Sequence, residues 1–374
     1  MTLSDTEKIN SLRLIMTENI GPVTYNELIA YYGTATRAVE HLPDLAKKGG
    51  RRRQINLVPE SEALRQIELA DKKQVRILFR SDKDYPSNLK QLSDSAPILF
   101  ALGNTDIFTK KAVAIVGTRN ASANGKALAR QIAADLAEAD YNVVSGLAHG
   151  IDRAAHVGAL SGHKNLTTTA VLGTAVDEVY PQTNRDIYDM IAQRGCLISE
   201  FPFQTPMNAR NFPRRNRIIA GLGEGTLVIE AQERSGSLIT AREALHFGRE
   251  VFAVPGSPVD PRSAGPNALI RDGATLVSSA RDIIDSLEAL NHFTLRPEVD
   301  VSAVQEELLD EDTLQDARDL VCHSLGTDPV SVDLLIQDTG LDARSVNIVL
   351  VELAVAGRLE RHPGNRVSLI YPME

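Results

Sequence analysis

The sequence has few cysteines, fewer basic than acidic residues, and no long apolar run. Its two cysteines, Cys196 and Cys322, are too few for a disulfide framework and too far apart in sequence for a pair of metal ligands. Such low cysteine usage is typical of proteins in a reducing compartment. No apolar stretch of about 18 residues occurs, as a membrane span requires, and the polar opening MTLSDTEKIN lacks the features of an export signal. We therefore expect a cytoplasmic protein without membrane contact.

Several cofactor and catalytic motifs are missing as well. The turns that follow predicted strands contain neither the dinucleotide fingerprint G-x-G-x-x-G nor the phosphate loop ending in GK[ST]. The sequence around Ser145 is not G-x-S-x-G, which argues against a serine nucleophile there. The sequence therefore predicts no cofactor and no catalytic residue.

The net charge also argues against one class of partner. Lys and Arg number 40 against 49 Asp and Glu, and the resulting charge of −9 disfavours a partner as acidic as DNA. The charge is uneven, however, because residues 1–104, 105–290 and 291–374 carry +2, −1 and −10. Nine carboxylates lie between Glu298 and Asp319, which is typical of a solvated linker. No acidic residue occurs from Phe201 to Gly223, so a local basic cluster is compatible with the composition.

The pattern of apolar residues divides the chain into four regions. Residues 1–74 show a helix, a Gly21-Pro22 turn and a second helix, which predicts a helical domain similar to SAM or helix-hairpin-helix domains. Residues 75–290 alternate β-branched runs with helical patterns, which predicts an α/β domain with a Rossmann-like, doubly wound, mainly parallel sheet. Residues 291–313 form the acidic linker, and residues 314–374 show three helices and a hairpin, as in a winged helix.

The predicted elements of the two later domains are these. Strands are expected at 75–79, 113–116, 142–145, 168–172, 226–229 and 251–254, with helices at 126–137, 153–160, 185–193 and 240–247. The winged helix is predicted to have helices at 314–325, 331–338 and 342–356, then two β-rich pieces around Pro363-Gly364-Asn365. Its third helix carries few charges besides Asp342, Arg344 and Glu352, so DNA recognition and protein docking both remain open.

Two glycine-containing turns are candidate anion sites. Gly117, Thr118 and Arg119 follow a predicted buried strand and precede a helix, where backbone amides and a guanidinium can hold a phosphate. Ser145 and Gly146 follow the next strand and can widen that site along the same sheet edge. A purely structural turn is the alternative at each position.

A metal site near the second turn is disfavoured. His149 precedes the predicted helix, whereas His156 lies one turn after Asp152 within it, and no cysteine or further carboxylate joins them. Asp152 is instead well placed to cap the helix. We expect no metal.

The stretch NARNFPRRNRIIAGL groups several arginines around one aromatic residue. Arg210, Arg215 and Arg217 surround Phe212 without a nearby acidic residue, a pattern that suits phosphates and a ring on which a base stacks. The alternative is that Phe212 packs inward and some of these arginines pair with Glu200 or Glu230.

Six separated motifs together resemble the DNA-processing protein A (DprA/Smf) family, in order over Tyr85 to about Leu276. They are YPSNLKQLSDSAPILFALGN, VAIVGTRNAS, SGLAHGIDRAAH, FPRRNRIIAGL, EAQERSGSLITA and VFAVPGS. The resemblance implies a non-enzymatic protein that binds and protects incoming single-stranded DNA during natural transformation and loads the recombinase RecA on it. It also implies a homodimer formed through the Rossmann-like domain.

The resemblance assigns roles to particular positions. DNA binding is expected at Gly117, Thr118, Arg119, Ser145, Gly146, Phe212, Arg215 and Arg217. Two positions where the family commonly has a basic residue are Gln182 and Ala209 here, and Arg185 and Arg210 are expected to replace them. Leu245 is expected on the RecA-facing helix, and Asn267 and Leu276 near the dimer contact.

Two rival functions remain open. Nucleotide phosphoribohydrolases that resemble lysine decarboxylases share this fold and use P-G-G-x-G-T-x-x-E, of which Gly236, Thr240 and Glu243 match three residues. Ser235, Ser237 and Ile239 stand where that motif lets the backbone approach a phosphate, which argues against hydrolysis of nucleoside monophosphates. The other rival is a scaffold that recruits partners through the winged helix and the acidic linker.

Overall fold

The structure is a computed structural model that describes residues 3–51, 53–293, 311–362 and 364–370. These residues form two compact units: residues 66–293, and residues 3–65 together with 311–370. Most of the predicted acidic linker lies outside the described residues, as does Pro363 of the predicted turn.

The helices and strands have the following bounds. The helices are α1 (Asp5–Met16), α2 (Pro22–Tyr32), α3 (Ala35–Lys48), α4 (Glu60–Lys72), α5 (Ser87–Lys90), α6 (Ala123–Glu138), α7 (Ile151–Ala159), α8 (Arg185–Arg194), α9 (Asn211–Leu222), α10 (Gly236–His246), α11 (Ala264–Arg271), α12 (Ala280–Phe293), α13 (Glu311–Ser324), α14 (Val332–Thr339) and α15 (Ala343–Val355). The strands are β1 (Arg76–Phe79), β2 (Ile98–Gly103), β3 (Ala112–Gly117), β4 (Asn142–Ser145), β5 (Thr168–Val171), β6 (Cys196–Ser199), β7 (Gly225–Ile229), β8 (Glu250–Ala253), β9 (Thr275–Leu276), β10 (Val330–Ser331), β11 (Leu359–His362) and β12 (Arg366–Leu369).

The first unit is built on a sheet with strand order β1-β2-β6-β5-β4-β3-β7-β8-β9. From β6 to β9 every neighbouring pair is parallel, and β2 pairs antiparallel with both β1 and β6. The chain runs outward from β3 to β6 and then returns to place β7 on the other side of β3. This reversal creates a topological switch point, the usual position of binding sites in doubly wound sheets.

Alternate residues of β3 show how the sheet is buried on both faces. Ala114 and Val116 pack into the core that contains residues of α5, α9 and α10, whereas Val113 and Ile115 pack into the core that contains residues of α6, α7 and α12. Because both faces are covered, the central strands are almost entirely apolar. The predicted Rossmann-like, mainly parallel fold is confirmed.

The second unit combines both ends of the chain around one hydrophobic core. Leu28 and Leu42 from the N-terminal helices and Val349 and Leu353 from α15 belong to the same buried cluster. Residues 17–21 join α1 to α2, with Gly21 as the N-cap and Pro22 at the first helical position. Strands β10, β12 and β11 form the small antiparallel sheet of the winged helix. The helical N-terminal domain and the winged helix are thus confirmed.

The predicted elements are present, with ends shifted by a few residues, and several further elements had no prediction, among them β2, β6 and α9. Strand β2 departs from the expected alternation of parallel strands and helices because it pairs antiparallel with both β1 and β6. Helix α9 coincides with the arginine-rich stretch. Its buried apolar residues Ile218, Ile219 and Leu222 all lie in its second half, so the sequence shows no regular apolar spacing along the whole helix.

Candidate nucleic-acid interface

The carboxyl ends of β3, β4 and β7 bring three of the sequence motifs to one edge of the sheet. Gly117 at the end of β3 pairs with Ile229 at the end of β7, and the Thr118 amide donates to the Glu230 carbonyl oxygen at 2.7 Å. Ser145 ends the neighbouring strand β4. Motifs that lie more than 100 residues apart in sequence therefore form one continuous edge.

Arg119 and two aromatic rings form a cluster at this edge, in which Arg119 and Tyr180 are exposed and Phe212 is half-buried. Arg119 is exposed, and its Cζ lies 5.8 Å from the centroid of the Phe212 ring at the start of α9. The Tyr180 ring is 5.2 Å from that of Phe212, at an interplanar angle of 43°, and Tyr180 is 38% exposed. Gly173 contacts the Phe212 ring and leaves room for it, because a Cβ at position 173 would lie 2.7 Å from Phe212 Cδ1. The cluster joins a cation to two π faces, the combination that binds bases and phosphates of a single strand.

Sequence reasoning did not include Tyr180 and Gly173 in the site. Their positions could have indicated them, because both follow β5 and the carboxyl ends of parallel strands meet at one edge of the sheet.

Arg215 lies beneath this edge rather than on it. It is 4% exposed, and its Nη1 donates to the Gly146 carbonyl oxygen at 2.7 Å and to the Val171 carbonyl oxygen. Burial lowers the pKa of Arg215 to about 10, although the Asp152 carboxylate opposes this shift. The guanidinium therefore remains charged at neutral pH and ties the ends of β4 and β5 together.

Asp152 occupies the amide-rich turn after β4. Its Oδ2 accepts from the amides of Gly146 at 3.2 Å and Ala148 at 3.4 Å. Burial raises the pKa of Asp152, and the positive charge of Arg215 lowers it. Helix α7 begins after Gly150, so Asp152 stabilises the preceding loop instead of capping the helix, as its sequence position had suggested.

A second carboxylate occupies the N-terminus of α6. Ser122 caps this helix by accepting from the Gly125 amide at 2.9 Å, and the Ser122 amide donates to Glu230 Oε2 at 2.8 Å. The Ser122 hydroxyl also contacts Glu230 Oε1. The helix end and the turn after β4 thus hold carboxylates of the protein itself at the positions where a nucleotide-binding protein holds phosphates.

Of the other arginines in and near α9, Arg214 and Arg217 pair with Glu200, whereas Arg185 and Arg210 do not. Arg217 Nη2 lies 2.5 Å from Glu200 Oε2, and its Nη1 donates to the Asp94 carbonyl oxygen at 2.6 Å. Arg214 Nε lies 3.2 Å from Glu200 Oε1. Arg210 and Arg185 are exposed, and Arg185 pairs with Asp189 one turn along α8. Gln182 and Ala209, the two departures from the family pattern, are also exposed.

The two histidines on either side of Asp152 lie in different surroundings. His149 is exposed in the loop before α7, whereas His156 is fully buried. Within residues 3–51, 53–293, 311–362 and 364–370, no group of three or more His, Cys, Asp or Glu side chains is arranged to hold a metal ion.

His156 is a buried neutral histidine. The Thr168 hydroxyl donates to the Val143 carbonyl oxygen, so it accepts from Nδ1 of His156, which is 2.7 Å away. Nε2 is then an acceptor, buried without a hydrogen-bond partner among the described residues. Burial, together with the positive charge of Arg215, lowers the pKa of His156 to about 3.

We expect His156 to make the central unit sensitive to acid. Because its pKa is lower in the folded than in the unfolded chain, its stabilising contribution is complete above pH 6.5 and is lost as the pH falls toward 3. Between pH 7 and pH 5 the loss is about 2 kcal/mol. Urea unfolding of His156→Asn, which retains a donor for Thr168, should show a flatter pH dependence than the wild type. The exposed His149→Asn should retain the full dependence, and equal slopes for the wild type and His156→Asn would contradict this role.

The remaining predicted contacts lie on other elements. Leu245 in α10 is 57% exposed, and Leu276 in β9 is 53% exposed. Asn267 in α11 accepts from the Gly256 amide at 3.1 Å and donates to the Gly256 carbonyl oxygen at 2.9 Å. Their assignment to RecA and dimer contacts stays a prediction, as does the assignment of the ten DNA-binding residues.

Together, the fold defines a three-part α/β protein with a Rossmann-like sheet, an N-terminal helical domain and a winged helix. The profile of the family described as DNA recombination-mediator protein A matches residues 76–288. A DprA-like N-terminal HHH domain matches residues 5–69, and a DprA winged helix domain matches residues 305–365. The chain belongs to this family, as the motif resemblance predicted.

Individual relatives agree with this assignment. The chain is 42% identical over 212 residues to the DNA processing protein DprA of Bacillus subtilis, covering 56% of this chain and 71% of that protein. It is 38% identical over 295 residues to Protein Smf of Escherichia coli, covering 76% and 75%. None of the helices in the described ranges has the length and hydropathy needed to cross a membrane.

Two solved structures of the family are similar to this one. The X-ray structure of DprA from Streptococcus pneumoniae matches with a TM-score of 0.63 and 33% identity, covering 76% of this chain and 98% of that one. The structure of DprA from Helicobacter pylori, described as having a unique single-stranded DNA binding mode, matches with a TM-score of 0.52 and 28% identity, covering 58% and 96%.

Proposed function

We propose that this protein binds single-stranded DNA at the edge formed by the ends of β3, β4 and β5. The observation that carries the proposal is the cluster of Arg119, Phe212 and Tyr180 at this edge, which offers an exposed cation and two π faces beside backbone turns. Binding of single-stranded DNA by the Helicobacter pylori relative supports it. A duplex keeps its bases stacked and paired, so its bases cannot reach these rings, and single strands should bind better.

The proposal gives the predicted DNA-binding residues different roles. Arg119, Arg210 and Phe212 make direct contacts, because they lie on the exposed edge or at the start of α9. Arg215 positions the turn after β4 through the Gly146 carbonyl, and Arg217 anchors α9 through Glu200. Gly117, Thr118, Ser145 and Gly146 shape the edge, and Arg185 extends it along α8.

The wider role proposed is protection of incoming DNA and loading of RecA during natural transformation, by a cytoplasmic homodimer without enzymatic activity. The names of the Bacillus subtilis and Streptococcus pneumoniae relatives support a role in DNA processing. Leu245 is proposed to contact RecA, and Asn267 and Leu276 the second subunit. Two sites on one strand would raise the avidity through a high effective concentration.

The rival proposal, a phosphoribohydrolase, has less support from the site. Thr240, which matches the threonine of that motif, is 1% exposed, so its hydroxyl does not reach a solvent-borne phosphate. The two anion positions at the sheet edge hold Asp152 and Glu230. An assay of base release from nucleoside monophosphates separates the two functions, and measurable turnover would contradict the non-enzymatic one.

The binding proposal is tested by gel shifts with single-stranded and duplex DNA at two salt concentrations. We expect the single strand to bind more tightly at both. If about three phosphates are neutralised, its affinity should fall about 20-fold between 50 and 200 mM salt. Duplex binding as tight as single-strand binding would remove the aromatic cluster from the explanation.

A further inference from the structure

The third helix of a winged helix commonly enters the major groove of DNA, with one side on its own module and the other facing the bases. In this protein α15 occupies that position. Ten of its residues are buried: Ser345, Val346, Ile348, Val349, Leu350, Val351, Glu352, Leu353, Ala354 and Val355. A helix enclosed to this extent has packing partners on both sides.

One partner is the winged helix itself. Arg318 of α13 contacts Glu352 of α15 through two hydrogen bonds, Nε to Oε2 at 2.7 Å and Nη2 to Oε1 at 2.9 Å. Both side chains are buried, at 8% and 1% exposure. This bidentate pair fixes one side of α15 to its own module.

The other partner is the N-terminal helical domain. Gly49, which follows α3, approaches α15 so closely that a Cβ would overlap the Glu352 carbonyl oxygen and lie 2.8 Å from the Ala356 Cβ. Asn19 donates to the Val355 carbonyl oxygen at 3.5 Å, and Arg358 donates to the Gly49 carbonyl oxygen at 3.3 Å. The backbones of α3 and α15 are therefore in direct contact.

Two cations that a DNA-reading module would direct at phosphates instead contact residues of α2. The Arg344 guanidinium at the start of α15 lies 5.7 Å from the centroid of the Tyr31 ring. Arg361 in β11 lies 2.5 Å from Glu27 of α2. Both the helix and the strand beside it thus direct positive charge at the N-terminal domain.

We propose that α15 is a protein-docking helix whose partner is the N-terminal helical domain of the same chain, and that the protein does not recognise duplex DNA through α15. The two ends of the chain form one composite module around a shared core. This inference is independent of single-strand binding at the central sheet.

The docking is tested in the full-length chain by hydrogen exchange of Gly49→Ala. Gly49 has φ −69, so alanine is compatible with its backbone and only the contact with α15 is disturbed. We expect exchange of the α15 and α3 amides to rise more than tenfold, while the amides of the central sheet remain protected. Gly21→Ala is the matched control, because a Cβ there meets nothing within 4 Å. Exchange of α15 that is unchanged in Gly49→Ala would overturn the proposal.

The second half of the proposal is tested by duplex binding. Asn347 is an exposed residue within α15, and Asn347→Glu would place a negative charge where the helix would meet a groove. We expect duplex affinity within twofold of the wild type. A loss of tenfold or more, with α15 still protected from exchange, would show that α15 contacts DNA and would overturn the proposal.

Discussion

Arg119→Glu should abolish single-strand binding, raising the dissociation constant at least 100-fold in a gel shift at 150 mM salt. Arg119 is the exposed cation above Phe212, and its replacement by a carboxylate both removes a phosphate contact and repels the strand. Its side chain is exposed, so the fold should persist, with the unfolding free energy within about 0.5 kcal/mol of the wild type.

The control for this variant is Arg281→Glu, which makes the same charge change on α12. Arg281 is 75% exposed and pairs with Asp285. If the affinity depends on the site and not on net charge, Arg281→Glu should weaken binding by no more than about threefold at 150 mM salt, where distant charges are screened. An Arg119→Glu protein that binds as well as Arg281→Glu would exclude the proposed edge as the DNA site.

Arg215→Met should lower the unfolding free energy of the central unit by about 3–5 kcal/mol, measured by urea denaturation. The substitution leaves the buried Asp152 carboxylate without the nearby positive charge that lowers its pKa. It also leaves the carbonyls of Gly146 and Val171 without their donor, in a position closed to water. Asp152→Asn in the Arg215→Met background should recover part of this loss because it removes the unpaired charge.

Arg210→Met distinguishes positioning from direct contact. Arg210 is exposed and immediately precedes α9. Its replacement should leave the unfolding free energy within about 0.5 kcal/mol of the wild type and should weaken single-strand binding. The opposite pattern, with Arg215→Met stable but unable to bind, would make Arg215 the direct contact and would contradict its positioning role.

Much of the fold could be predicted because its signals are local. Buried parallel strands such as β3 are continuous apolar runs, and the Gly21-Pro22 turn marks the start of α2. Strand β2 has the same apolar character, but its antiparallel pairing with β1 and β6 could not be predicted, because these partners lie elsewhere in the chain. Strand pairing is a long-range property that no local pattern contains.

The candidate site shows the same division. The residue types at the sheet edge were identified from sequence, because amide-rich turns follow the strands and arginines surround Phe212. What each arginine does could not be predicted, because its partners are distant. Arg215 finds the Gly146 carbonyl 69 residues away, whereas Arg217 finds Glu200 17 residues away. A stretch without acidic residues is therefore not a stretch of unpaired cations.

The sequence by itself determined the family, the three-part architecture and the short list of residues at the candidate site, since all of these depend on residue types in order along the chain. The tertiary structure alone decided that Asp152 and Glu230 occupy the anion positions, that Arg215 is buried while Arg119 is exposed, and that the N-terminal helices cover α15. The physical reason is that burial and charge pairing depend on which distant elements approach each other, and packing around the shared cores fixes those approaches.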